Sequence, residues 1–238
     1  MLVNPLAKRL SAEFVGTTFL LMIIVGSGAL EGEQQRSLDL LALSLAVAFG
    51  LAVLISVFGP ISGAHFNPVV SLVDWALGRR TGSGLPTKDL GPYVAAQLAG
   101  ALFGTVLANL MFQSATLVVS QTDRSNPGTF LAEVIATAGL VTVAFVAPRI
   151  GLATSPAILI GAYVASAVLF TSSTAFMNPA VTLGRVFTDS LAGIAPMSAW
   201  VFVVAQLAGA AVGLAYVLYL YRSAVLRTDQ MVESATGS

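Results

Sequence analysis

Two asparagines, Asn67 and Asn178, stand at corresponding places in the chain, and each is followed by proline and a short apolar run. Asparagine is a preferred N-cap residue and proline is favoured at the first helical position, so each pair predicts a helix start. The apolar runs, 66–77 and 177–187, are too short to span a bilayer, which needs about 20 residues. The amide N–H groups of Asn67 and Asn178 are suited to donating hydrogen bonds to the oxygen of a neutral solute.

These helix starts also have an electrostatic consequence. A helix start carries roughly half a positive charge. Two starts that face one pore disfavour cations and excess protons, and non-helical backbone in front of them is tolerated at membrane depth only inside protein or along a wet cavity. The pattern therefore predicts a pore that conducts neutral hydrogen-bonding molecules and rejects ions.

Composition places the chain in lipid and excludes several function classes. Of its 238 residues, 56% are hydrophobic and 9% are charged, whereas a soluble domain carries about 25% charged residues. The formal net charge is zero, so no basic surface predicts nucleic-acid binding. The chain has no cysteine and one histidine, which leaves little for an intramembrane enzyme. We expect no metal, no cofactor and no nucleic-acid partner.

The apolar segments predict an all-α membrane protein with six transmembrane helices. They lie at about 10–30, 38–58, 91–112, 129–147, 153–171 and 197–221. Six spans put both termini on one side, together with the basic residues Lys8, Arg9, Arg79, Arg80, Lys88, Arg149, Arg222 and Arg227. The loops of the other side hold Arg36 and Arg124. The positive-inside rule then predicts that both termini are cytoplasmic. We expect a multi-pass protein of the bacterial inner membrane.

The two halves of the chain repeat one another within a single channel domain, residues 1–238. Repeat one covers about 8–115 and repeat two about 128–222. Ala12-Glu13-Phe14 corresponds to Ala132-Glu133-Val134, and Ala96-Gln97-Leu98-Ala99-Gly100 corresponds to Ala205-Gln206-Leu207-Ala208-Gly209. Each half holds three spans, an odd number, so we expect an inverted 3+3 repeat whose two short helices re-enter from opposite faces.

The residues around the two asparagines resemble the signatures of the aquaporin, or major intrinsic protein, superfamily. Asn67-Pro68-Val69 is similar to the first Asn-Pro-Ala signature with valine in the alanine place, and Asn178-Pro179-Ala180 matches the second. The resemblance implies six tilted spans plus two half-helices, a homotetramer with one pore per subunit, and a passive channel for water and small uncharged solutes.

The resemblance also implies a four-residue selectivity filter, and here the chain departs from the family. The family's most constant filter residue is an arginine directly after the second signature, where this chain has Val181. Ala175 and Ser166 match two further filter positions. The fourth is Phe49 or Val47, and we favour Phe49 because it begins a sequence similar to the family's aromatic-Gly-Leu.

Valine in place of arginine removes a fixed cation and a fork of five donors. A wider, more apolar constriction favours solutes larger than water: polyols, urea or undissociated metalloid acids such as arsenous acid. Loss of this arginine resembles the bacterial channels associated with arsenic resistance. The alternative is a plain water channel whose filter is repacked by neighbouring residues.

Several charged residues each have two interpretations. Arg185, one helical turn beyond Val181, is either an outer guard against cations or a structural arginine that pairs with Asp189 or loop carbonyls. Glu13 and Glu133 are intramembrane carboxylates, which suggests a proton relay, but their symmetric placement favours holding the re-entrant loops.

His65 either lines the inner vestibule and responds to pH, or is a packed and hydrogen-bonded histidine.

Two further alternatives concern the whole chain. A structural or junctional membrane protein would use extracellular loops for adhesion, and the loops at about 31–37 and 121–128 are short. A proton-coupled transporter would need Glu13 or Glu133 to titrate.

Overall fold

The computed structural model describes residues 4–33, 39–149 and 155–236. This part of the chain is helical and contains no strand. The helices are α1 (Leu6–Glu33), α2 (Asp39–Ser62), α3 (Pro68–Thr81), α4 (Thr87–Met111), α5 (Pro127–Val146), α6 (Pro156–Phe170), α7 (Pro179–Gly184) and α8 (Pro196–Thr236). Short 3-10 turns extend α5 over Ala147–Arg149 and α7 over Arg185–Phe187.

The predicted all-α membrane fold is confirmed. Within the described residues, five segments are long and apolar enough to cross a bilayer: Leu6–Leu30, Leu40–Ser62, Thr87–Met111, Pro127–Arg149 and Pro196–Tyr221. The helix α6 matches the remaining predicted span, 153–171, and has 15 described residues. The described structure does not include residues 34–38 and 150–154, which belong to two predicted segments. It also does not include the side chains of Arg222 and Arg227.

The two halves pack through the same close helix contacts. A Cβ atom on Gly100 of α4 would lie 2.4 Å from the Phe14 carbonyl oxygen of α1. In the second half, a Cβ atom on Gly209 of α8 would lie 2.5 Å from the Val134 carbonyl oxygen of α5. Glycine at these places lets the helix backbones approach closely, which is how helices associate in lipid.

The two short helices begin as the sequence predicts. Asn67 and Asn178 are extended N-cap residues, with φ of −156° and −155°, and each is followed by proline in the first turn. The helix α3 has 14 residues, whereas α7 has six residues before its 3-10 turn. Each short helix thus starts abruptly from a non-helical loop in the interior of the protein.

Candidate functional site

The loops that precede the two asparagines have an unusual backbone. Ala64 and Phe66 in the first loop both have φ of 50°, and Ala175 and Met177 in the second have φ of 47° and 51°. Left-handed conformations of residues other than glycine cost roughly 1–3 kcal/mol each, so they persist only where the surroundings hold them. The two loops therefore need buried groups that bind their exposed N–H donors.

Glu13 of α1 supplies these acceptors for the first loop. Its Oε1 atom accepts hydrogen bonds from the Ser62 hydroxyl at 2.7 Å and from the His65 N–H at 3.0 Å. Its Oε2 atom accepts from the Phe66 N–H at 2.7 Å and from Gln97 Nε2 at 2.8 Å. The carboxylate of Glu13 is fully buried and its accepting positions are filled by these four donors.

Glu133 of α5 does the same for the second loop. Its Oε1 atom accepts from the Ser173 hydroxyl at 2.7 Å and the Phe176 N–H at 2.8 Å. Its Oε2 atom accepts from the Met177 N–H at 2.9 Å and from Gln206 Nε2 at 2.7 Å. This four-donor geometry supports the loop-holding interpretation of both glutamates over a proton relay.

Substitution of these glutamates separates the two interpretations. We expect Glu133→Ala to abolish folding, because each buried N–H left without a partner costs about 1–3 kcal/mol against a typical total stability of roughly 5–15 kcal/mol. Glu133→Gln keeps one acceptor oxygen and should be tolerated better. The measurements are yield of monodisperse protein and solute uptake with and without an imposed proton gradient. Gradient-driven accumulation that disappears in Glu13→Gln would contradict the loop-holding role.

The two asparagines bridge the loops reciprocally. Asn67 Nδ2 donates to the Met177 carbonyl oxygen at 2.9 Å, and Asn178 Nδ2 donates to the Phe66 carbonyl oxygen at 2.8 Å. Their Oδ1 atoms cap the short helices, accepting from the backbone N–H groups of Val69 and Ala180, among others. Each amide nitrogen has a second N–H, and both asparagines line a cavity between the loops.

This cavity has a volume of about 280 Å³ and lies between α1, α2, α5, α6 and the two loops. Most of its lining is apolar. Its polar or charged lining residues are His65, Asn67, Arg124, Thr174, Asn178 and Arg185. The cavity is therefore mainly apolar, and the asparagine amides on its wall are placed to bind a solute oxygen. We call the side opposite the start of α1, where Arg124 and Arg185 lie, the outer side.

The structure places Val47, and not the favoured Phe49, on the cavity wall. Phe49 is 69% exposed on the outside of α2, whereas Val47 is buried and lines the cavity. The α2 residues that line the cavity recur every three or four positions: Leu40, Leu43, Val47, Leu51 and Ile55. Phe49 lies two residues after Val47 on the helix, which turns its side chain to the opposite face.

The structure also places Ser166, another predicted filter residue, away from the cavity. It is exposed on the outside of α6, and the cavity is lined instead by Ile160, Val164 and Val168 of the same helix. The other two predicted filter residues, Ala175 and Val181, do line the cavity and are buried. Sequence reasoning missed Val164, although the four-residue periodicity of apolar positions in α6 would have indicated it.

Arg185 is buried with its guanidinium against the cavity. Its Nε atom donates a hydrogen bond to the Ala192 carbonyl oxygen, and its Cζ atom lies 3.4 Å from the centre of the Phe176 ring. The contact with a loop carbonyl fits the structural interpretation. The position on the cavity wall fits the guard interpretation as well.

The first half places a carboxylate and an imidazole where the second half has Arg185 and Phe176. Asp74 Oδ2 lies 3.7 Å from His65 Nε2 and accepts a hydrogen bond from the Leu85 N–H at 2.8 Å. His65 Nδ1 lies 3.0 Å from the Ser71 hydroxyl. His65 is thus both hydrogen-bonded and part of the cavity wall, as each of its two interpretations requires.

Three features together define a membrane channel for small uncharged solutes. They are the membrane-length helices, the two half-helices that meet in the interior, and the apolar cavity with central amide donors. The chain belongs to the major intrinsic protein family, whose sequence model matches residues 3–174 and 146–237. It is 41% identical over 221 residues to the aquaglyceroporin AqpS of Rhizobium meliloti (strain 1021), covering 92% of each chain. It is 33% identical over 225 residues to aquaporin Z of Brucella melitensis biotype 1, covering 87% of this chain and 94% of that one.

The fold is also that of a solved channel. The structure is similar to the X-ray structure of the aquaglyceroporin from Plasmodium falciparum, with a TM-score of 0.71, 22% sequence identity, and coverage of 89% of this chain and 95% of that chain. This likeness agrees with the predicted arrangement of six spans and two half-helices in an inverted repeat.

Proposed function

We propose that this chain is an aquaglyceroporin-like channel that passes glycerol-sized polyols and undissociated metalloid acids such as arsenous acid, as well as water. The observation that carries the proposal is the apolar wall formed by Val47, Val164, Ala175 and Val181. None of these four side chains can bind water by hydrogen bonds, and none is a long cation that narrows the passage. The free-energy cost of leaving water is therefore lower here than in a polar filter for a solute that has some apolar surface.

The sequence similarity supports the same solute class. The relative that is 41% identical to this chain is named an aquaglyceroporin. The channel so proposed carries out no chemistry and needs no cofactor. Solute moves down its own gradient, because the carboxylates of Glu13 and Glu133 are buried and occupied in holding the loops.

We propose further that the chain works as a homotetramer in the bacterial inner membrane, with both termini in the cytoplasm and one pore in each two-repeat subunit. The excess of lysine and arginine on the side of the termini supports the orientation. Apolar side chains exposed on the outside of α2, including Phe49, Val53 and Val57 at 69%, 61% and 55% exposure, would contact lipid or a neighbouring subunit.

Stopped-flow light scattering on proteoliposomes of the purified chain tests this proposal. Permeability to water, glycerol and arsenous acid is compared with that of protein-free liposomes of the same lipid. We expect all three to rise. A rise in water permeability alone would show the plain water channel, and no rise for any solute would contradict a channel.

A further inference from the structure

Two arginine side chains lie close to the Phe176 ring on the outer side of the cavity. The Cζ atom of Arg185 lies 3.4 Å from the ring centre, and that of Arg124 lies 5.5 Å from it. Arg124 comes from the connection between α4 and α5, which joins the two repeats, whereas Phe176 belongs to the second repeat. Both arginines and Phe176 line the cavity, so a solute that enters from outside passes two guanidinium groups.

One short stretch of backbone holds both guanidinium groups. The Leu191 and Gly193 carbonyl oxygens accept hydrogen bonds from Arg124 Nη2 at 2.7 Å and Nε at 2.8 Å. The carbonyl of Ala192, between them, accepts from Arg185 Nε. Three consecutive carbonyls thus alternate between the two arginines, which fixes both charges beside the entrance.

The backbone of this region is itself tied down. The Ile194 N–H donates to the Arg185 carbonyl oxygen at 3.3 Å, and the Arg124 N–H donates to the Ser198 hydroxyl at 3.0 Å. The second contact joins the α4–α5 connection to the start of α8, and the first ties the segment between α7 and α8 back to Arg185. The arginines are therefore held by the fold and do not need a bound solute to order them.

The hydrogen bonds described for Arg124 leave its charge in place, because carbonyl oxygens carry no net charge. Burial lowers the pKa of Arg124, but a guanidinium stays protonated at neutral pH. The neighbouring Asp123 carboxylate is bound by the Ser198 and Ser125 hydroxyls, which lower its pKa to about 2. Asp123 is thus ionised but exposed, and water screens its charge more than that of half-buried Arg124.

We propose that Arg124 and Arg185, both close to the Phe176 ring, form an outer charge barrier of this channel in place of an arginine at position 181. The inference rests on the proposed channel function. The apolar residues Val47, Val164, Ala175 and Val181 set the width of the passage, and the two arginines exclude protons and metal cations before they reach it. A single arginine at the constriction would both narrow the passage and supply its positive charge. In this channel different residues set the width and supply the charge.

The test measures proton leak and glycerol flux in the same proteoliposomes of the full chain. Proton entry is followed with an enclosed pH-sensitive dye under an imposed potassium diffusion potential, and glycerol flux by light scattering. We expect Arg124→Gln to raise the proton leak by about tenfold, the effect of a barrier lowered by roughly 1.4 kcal/mol. The double variant with Arg185→Gln should leak more, and glycerol flux in the same vesicles shows that the pore is still assembled.

A charge-retaining variant separates the barrier from a merely structural role. Arg124→Lys removes one carbonyl contact but keeps the cation, so it should exclude protons as the wild type does. Arg79→Gln, which removes a cation stacked on Trp75 outside the cavity, should change neither readout. A double glutamine variant that conducts glycerol normally and leaks no more protons than wild type would overturn the inference. An equal proton leak in Arg124→Lys and Arg124→Gln would also overturn the inference. Absence of glycerol flux in the wild type would instead contradict the proposed function itself.

Discussion

Asn67→Asp and Asn178→Asp are each expected to reduce glycerol flux through the channel by more than about tenfold, which corresponds to raising the barrier by roughly 1.4 kcal/mol. A carboxylate can still cap the short helix but cannot donate a hydrogen bond unless it is protonated. The bridges to the Met177 and Phe66 carbonyl oxygens, at 2.9 and 2.8 Å, would be replaced by contacts between two acceptors. The pore would also lose its solute-binding N–H and gain a negative charge.

The chain offers a matched control for this substitution. Asn126 is the N-cap residue of α5 and, like the two pore asparagines, precedes proline and accepts a backbone N–H, that of Thr129, at 3.0 Å. It does not line the cavity. Asn126→Asp should therefore conduct glycerol at the wild-type rate. Equal flux in wild type, Asn67→Asp and Asn178→Asp, at matched amounts of reconstituted protein, would remove both asparagines from the proposed pore.

The helix starts and the symmetry of the site could be predicted because they depend on short-range rules. Asparagine followed by proline specifies an N-cap wherever an apolar run follows. Glu13 and Glu133 each accept from the corresponding serine, loop N–H groups and glutamine of their own half, because the two halves repeat the same helices and loops. Local chemistry and internal repetition together were sufficient for these features.

The family pattern did not predict correctly which face of α2 and α6 lines the cavity. Likeness to the family's aromatic-Gly-Leu favours Phe49 over Val47, and Ser166 matches the family pattern. The residues that line the cavity, Val47 and Val164, each lie two positions earlier on the same helix. On an α-helix, two residues amount to about 200° of rotation, which exchanges the inner and outer faces. Burial periodicity along α2 and α6 is a better guide here than the motif.

Arg124 could not be assigned from sequence for a different reason. It lies in a polar connection far from either asparagine motif, and its place beside Phe176 depends on the path of residues 188–195. That path is set by long-range contacts, such as the Ala195 N–H with the Thr122 carbonyl oxygen at 2.8 Å. Nothing within a few residues of Arg124 in the sequence indicates this neighbourhood.

Val181→Arg is expected to lower permeability to glycerol and arsenous acid by about tenfold or more while water permeability changes much less. Val181 is 2% exposed and lines the cavity, so a long side chain there must extend across the passage. Its backbone N–H is already held by Asn178 Oδ1 at 3.3 Å, which fixes the direction in which the new side chain starts. A difference of roughly 1.4 kcal/mol between the barriers for water and glycerol changes their ratio tenfold.

The new arginine would also meet the cation already present. Arg185 follows Val181 by four residues, so the two side chains start about 6 Å apart along the helix axis on nearly the same face. Repulsion between them would push the new guanidinium inward, toward Ala175 and the asparagines, or destabilise the fold. Yield and water flux must therefore be measured with solute flux, and Val181→Leu serves as the uncharged control for added bulk.

These variants distinguish width from charge at the constriction. If bulk alone excludes glycerol, Val181→Leu should reduce its permeability nearly as much as Val181→Arg does. If the donors and charge of arginine matter, the leucine variant should keep a glycerol-to-water ratio close to that of wild type. A Val181→Arg protein that folds, conducts water and passes glycerol and arsenous acid as fast as wild type would show that position 181 does not set selectivity. The apolar wall would then owe its solute preference to Val47 and Val164, on the opposite helices.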